Sequence, residues 1–248
     1  MFFNPEESKN PETEVEVVTE DSERMSLAAK ITGVFLDPKR TFISLERKPD
    51  FIVPLLIVMV AALIFTFVAW PIIEKTVLPL QVERMQEQGL SEEKIDGFLK
   101  ISKILGIVGP PLTVLVGSLV VSAILLFAGN ILLGGSSKFN KVFSVYCYTS
   151  LITVLAYAVK LALVMSKKSM QVYISPAALF PAEAGDSVWF KVAGVFDVFA
   201  IWQLVVIAIG LGVLFRTTFQ KSMTVMGTLY VFYAAAAIIF GKGGNWGG

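Results

Sequence analysis

The sequence predicts an all-α polytopic membrane protein, with five transmembrane helices, an N-terminal amphipathic segment and a helical extramembrane excursion between spans 1 and 2. Three observations lead there. Hydrophobic residues make up 55% of the 248 positions and charged residues only 17%, against about 25% charged in a soluble domain, which leaves too little charge to cover an aqueous exterior. Mean hydropathy is +0.70. The apolar residues also gather in runs of about 20, the length at which a helix crosses the hydrocarbon core.

Residues 1–23, MFFNPEESKNPETEVEVVTEDSE, hold eight carboxylates and one lysine. A segment so charged and so poor in core formers reads as a disordered acidic tail. It lacks the basic and apolar regions of a signal peptide, so the first span is expected to direct insertion. Residues 24–48 read as an amphipathic interfacial segment. Leu27, Ile31, Val34 and Phe35 share one helix face, and Asp37-Pro38 reads as a cap followed by proline at the first helical position. A second short helix then turns Phe42 and Leu45 inward. Lys30, Lys39, Arg40, Arg47 and Lys48 make the segment basic, and a basic amphipathic stretch beside a span is expected on anionic headgroups. A cap packed beneath the helix bundle is the alternative.

The membrane domain is placed at 49–241. Its first span covers 51–70, with Asp50 as N-cap and Pro71 ending or kinking the helix. A polar, helix-forming excursion follows over 74–103, restarted at Ser91 with Glu92 and Glu93 behind it. Pro110-Pro111 is expected to break the chain again. Further spans are expected over 112–133, stopped by Gly134-Gly135, and over 142–165. An irregular loop over 166–190 leads to spans 192–215 and 223–240, and GKGGNWGG at 242–248 reads as a flexible tail. Five spans put the termini on opposite sides. The segment 24–48 and the short links GGSSKFNK and RTTFQK are basic, so the positive-inside rule predicts a cytoplasmic N-terminus and an extracytoplasmic C-terminus in the cell membrane.

The sequence offers no P-loop, nucleophile elbow, dinucleotide fingerprint or metal-ligand cluster. It has no histidine and one cysteine, Cys147, so the commonest general base and the commonest metal ligand are absent. No catalytic, cofactor-binding or metal-binding residue is expected, and no basic patch suggests nucleic acid. Ionisable groups inside spans are functional candidates by default, and two qualify. Lys160 lies about six residues before the outer end of span three and Asp197 about six after the outer start of span four. Both are then roughly 9 Å below the same interface at 1.5 Å per residue, where antiparallel neighbours could pair them. Alternatively Lys160 snorkels and Asp197 sits in a hydrated helix start.

The stretches GVFLDPKRTFISLERKPDFIVPLLIV, NILLGGSSKFNKVFSVYCYTSLITVL and FDVFAIWQLVVIAIGL followed by KSM together resemble the Yip1 domain family in its bacterial branch, over about residues 28–240. Pro38, Phe42 and Pro49, then Gly134, Gly135, Lys138 and Phe139, then Phe199, Trp202 and Gly210 carry the resemblance through their order and spacing. The resemblance implies five membrane helices, a cytoplasmic N-terminus and no enzymatic activity or cofactor. Eukaryotic members serve early secretory trafficking and bind Rab-type GTPases; their Asp-Leu-Tyr-Gly-Pro segment is missing here. The reading is therefore a non-enzymatic membrane-organising or partner-binding scaffold, whose partners are the lipid bilayer and other membrane proteins or further copies of itself. A transporter or channel component using Lys160 and Asp197 is the alternative.

Overall fold

Ten α-helices account for most of the computed structural model, which describes residues 25–181 and 187–240. The acidic tail and the glycine-rich tail expected at the two ends lie outside the described residues. Helix α1 (Leu27–Leu36) is capped by Ser26, whose hydroxyl accepts from the Ala29 N–H at 3.2 Å. Asp37 caps α2 (Pro38–Arg47) in the same way through the Arg40 N–H, and Pro38 takes the first helical position, where its missing donor costs nothing.

Helix α3 (Ile52–Thr76) runs on past Trp70 with Pro71 inside it. Helix α4 (Leu78–Glu87) and the opening turns of α5 (Glu92–Ala128) form the excursion, restarted at Ser91 as expected. Pro110-Pro111 does not break the chain: α5 continues through both for 37 residues and ends in a π turn, Gly129–Leu133. Proline removes a donor and crowds the preceding turn, but membrane helices tolerate it where neighbouring groups readjust. Gly134, at φ +73°, stops this span in the left-handed region that glycine enters without penalty.

Helices α6 (Phe139–Thr149) and α7 (Leu151–Lys167) meet at Ser150 and together form one long apolar element. A short 3-10 turn, Pro176–Leu179, follows. The expected fourth span is broken. Helix α8 (Val188–Val195) and helix α9 (Val198–Leu214) meet at a 48° bend across Phe196 and Asp197. Helix α10 (Phe219–Phe240) completes the bundle. Among the described residues, four elements are long and apolar enough to cross a membrane, and five if the bent pair is one span.

Helix α9 is the hub, packed against α2, α6, α7 and α10, while α3 rests on α5 and α7. The main core gathers where the N-terminal helices meet this hub: Val34, Phe42, Leu45, Val145, Tyr148, Ile152 and Leu211 are all essentially inaccessible. Much of the remaining apolar surface faces outward, including Leu56, Val60, Ile64 and Phe67 at helical spacing along α3. Only 28% of the apolar window of α3, and of that of α5, is buried within the chain. Surface of that kind belongs in hydrocarbon, and the chain is a multi-pass membrane protein.

Candidate functional site

Two polar sites interrupt this apolar bundle. The first is a cavity of about 440 Å³ beside the bend, lined by Lys160, Asp197, Thr153, Tyr157, Gln203 and Tyr230 among others. Lys160 of α7 is 7% exposed and within electrostatic reach of the Asp197 carboxylate. Asp197 has a second task. It is the N-cap of α9, accepting from the Phe199 N–H at 2.8 Å and the Ala200 N–H at 3.0 Å. The bend also interrupts the ladder at Val195, whose carbonyl accepts from the Asp197 N–H and the Tyr230 hydroxyl. Gln203 makes only long contacts, 3.4 Å to Ser150 and 3.5 Å to Thr153. The structure thus brings the two sequence-selected ionisable residues to one cavity, and gives the carboxylate a capping role that an unbroken span would not have required.

These two roles separate by substitution. Asp197→Asn keeps an acceptor for the α9 N-terminus and removes the charge facing Lys160, whereas Asp197→Ala removes both. Thermal unfolding in detergent is expected to show Asp197→Ala about 1 kcal/mol less stable than Asp197→Asn, the usual value of an N-cap. Equal losses would count against the cap.

The second site was not legible in the sequence. Lys30 was expected at the lipid surface, but it is buried at 6% exposure, and its ammonium donates to Asp50 Oδ2 at 2.5 Å. Asp50 was expected to cap the first span, but Phe51 holds that position. The Asp50 carboxylate instead also accepts from the hydroxyl of fully buried Tyr148 at 2.5 Å. One carboxylate thereby ties α1, the start of α3 and α6 together. Glu46 adds an ion pair to Lys141 at 3.1 Å, joining α2 to α6. The helical hairpin of α1 and α2 is therefore packed onto the bundle as a cap. Lys39, Arg40, Arg47 and Lys48 stay exposed on it.

The other singled-out positions cluster nearby. Buried Phe42 faces Gly210, where an added Cβ would collide with Val145 and come within 3.3 Å of the Phe42 ring. Trp202 sits between Phe35, 5.9 Å away edge-on, and Phe199. Phe139 stacks on Phe143 at 5.6 Å, and Pro49 joins α2 to α3. Gly134, Gly135 and Lys138 form the short link from the π turn to α6. Most of these positions serve close packing around the hairpin and the hub helix.

Among the described residues, no three His, Cys, Asp or Glu side chains are grouped to hold a metal ion. A family model described as the Yip1 domain matches residues 32–240, most of the chain and nearly all of its described part. Comparison with curated proteins and with solved structures returns no match.

Proposed function

The chain belongs to the Yip1 domain family, and on that premise we propose that it is a non-enzymatic scaffold of the cell membrane, N-terminus cytoplasmic and C-terminus on the far side, that organises anionic lipid and partner membrane proteins around its bundle. The observation that carries this reading is the α1–α2 hairpin. Its inner face is held by the Lys30–Asp50–Tyr148 cluster, and its outer face bears Lys39, Arg40, Arg47 and Lys48. Cations carried on a packed element need no backbone ordering when they meet a headgroup, so less entropy opposes contact. Orientation is supported by the links at the same end of the bundle, which add Lys138, Lys141, Arg216 and Lys221, as the positive-inside rule requires of a cytoplasmic face.

Spin-labelled lipids in reconstituted membranes test the reading. Phosphatidylglycerol is expected to associate with the protein several-fold better than phosphatidylcholine, on the basis of about 1 kcal/mol per basic residue near an anionic surface, reduced by screening. The preference is expected to fall measurably, though not to unity, when Lys39, Arg40, Arg47 and Lys48 are all changed to Gln. Equal association of both lipids with the wild-type protein would sink the idea.

The bend at Phe196–Asp197 beside a polar cavity favours a second reading, a transporter component, because broken helices often form transport sites. That reading requires ion flux through proteoliposomes, followed with an entrapped pH dye, that Lys160→Gln abolishes without loss of folding. A wild-type protein that leaves the vesicles tight dismisses it.

A further inference from the structure

At the basic end of the bundle, two short connections are docked against each other: 134–138 between the π turn and α6, and 215–218 between α9 and α10. Gly135 lies so close to Phe215 that an added Cβ would be 2.9 Å from its ring. The first connection is pinned internally, because the Ser137 N–H donates to Asn130 Oδ1 at 3.2 Å. It is also pinned from outside by the Lys221 ammonium, which donates to the Leu133 carbonyl at 3.1 Å.

Between the two connections lies a cavity of about 470 Å³ lined by Lys138, Lys141, Arg216, Ser137, Gly135 and Glu46 among others. That volume falls within the range of small-molecule sites, about 300–1,000 Å³. Three cations and one carboxylate line it, a surplus of two positive charges, and the carboxylate is already engaged by Lys141. The Ser137 hydroxyl is buried and without a hydrogen-bond partner, although buried polar groups are normally satisfied. Arg216 holds a left-handed backbone at φ +51°, a conformation that costs a non-glycine residue free energy and recurs at ligand-binding positions. The α6 N-terminus opens at Lys138, whose side chain makes no cap bond, and the N-terminal end of a helix favours an anion.

We infer that this cavity is a binding site for a phosphate-bearing anion, either the headgroup of an anionic phospholipid or a soluble phosphoryl compound, held by Lys138 and Arg216 with Ser137 donating from below. Phosphate suits the set, because it accepts several charge-assisted hydrogen bonds at once from cations and hydroxyls on different elements. The site uses neither the exposed cations of the α1–α2 hairpin nor any residue of the Lys160 cavity, so its test is separable from that of the hairpin surface.

Native mass spectrometry of the full-length protein, released from detergent, tests it with titrations of phosphatidylglycerol, phosphatidylcholine and inorganic phosphate. One saturable phosphatidylglycerol is expected, bound at least about tenfold tighter than phosphatidylcholine, as charged hydrogen bonds to a net anion imply. The variant Lys138→Gln/Arg216→Asn is expected to lose that tight binding. Asn tolerates the left-handed backbone, and both positions are exposed, so folding is preserved; an unchanged unfolding temperature checks this. Ser137→Ala is expected to weaken binding several-fold, and Lys138→Arg to retain it. Displacement of the lipid by inorganic phosphate would support a soluble phosphoryl ligand, and saturation by lipid alone a headgroup. The hairpin variant with Lys39, Arg40, Arg47 and Lys48 changed to Gln is expected to keep the site. Undiminished binding in Lys138→Gln/Arg216→Asn, or loss confined to the hairpin variant, would overturn the inference.

Discussion

Replacing Asp50 by alanine is expected to destabilise the protein by about 2–3 kcal/mol and to free the N-terminal hairpin from the bundle. Removing one partner of a wholly buried ion pair costs about 3–5 kcal/mol, because the remaining charge is stranded away from water. Here the Lys30 side chain is 7% exposed and that of Asp50 41%, so the effect is smaller. It is not negligible, because Tyr148 also loses its acceptor in the fully buried core. The pair is asymmetric. Lys30→Met leaves Asp50 with Tyr148 and partial access to water, so its loss is expected to be smaller than that of Asp50→Ala. The double variant Lys30→Met/Asp50→Ala is expected to lose less than the sum of the two single losses, the signature of contacting residues. Thermal unfolding in detergent, with trypsin cleavage after Arg40 and Arg47 as a local readout, checks all three. Strictly additive losses would show that the pair does not hold the hairpin.

The second large effect is expected at Gly210. Here α2, α6 and α9 meet at van der Waals distance, and any side chain must displace Val145 and press on Phe42. Packed interiors resist added volume, and overpacking costs about 1–3 kcal/mol. Gly210→Leu is expected at the top of that range or beyond it, and Gly210→Ala near the bottom. Because Val145 Cγ1 is the nearest obstacle, Val145→Ala is expected to rescue Gly210→Ala but not Gly210→Leu. Unfolding temperatures of the five proteins decide it. A Gly210→Leu protein as stable as wild type would mean that the close approach is not maintained in the membrane.

Both effects centre on the hairpin, and the sequence was uneven about it. Local signals were readable: Asp37-Pro38 opens α2 and Gly134 closes the second span, because capping and left-handed backbone depend on a few adjacent residues. The spans were readable as composition. What the sequence hid depends on distance in the chain. Nothing local distinguishes Lys30 from Lys39 as a basic residue beside a membrane, yet one is buried against Asp50 and Tyr148 and the other is exposed. The bend at Phe196–Asp197 was hidden by unbroken hydropathy. A capping aspartate inside an apolar run was its only mark, and the sequence left open whether that carboxylate pairs with Lys160 or sits at a hydrated helix start. Pro110-Pro111 misled in the opposite direction, since a proline pair that would halt a soluble helix is carried within α5. Of the candidate sites, Lys160 and Asp197 were found through their charge in apolar surroundings. The cavity of Lys138 and Arg216 was missed because its two halves are remote in sequence and each is ordinary alone.

The central claim is that α1 and α2 form a packed part of the bundle and present their basic face from a fixed position. Hydrogen–deuterium exchange over residues 27–47, in nanodiscs with and without anionic lipid, tests it most directly. A docked hairpin is expected to exchange slowly in both, at rates close to those of neighbouring α6. Fast exchange in neutral nanodiscs, slowed only by anionic lipid, would instead mean a free amphipathic segment that folds on the headgroups, and would contradict the claim.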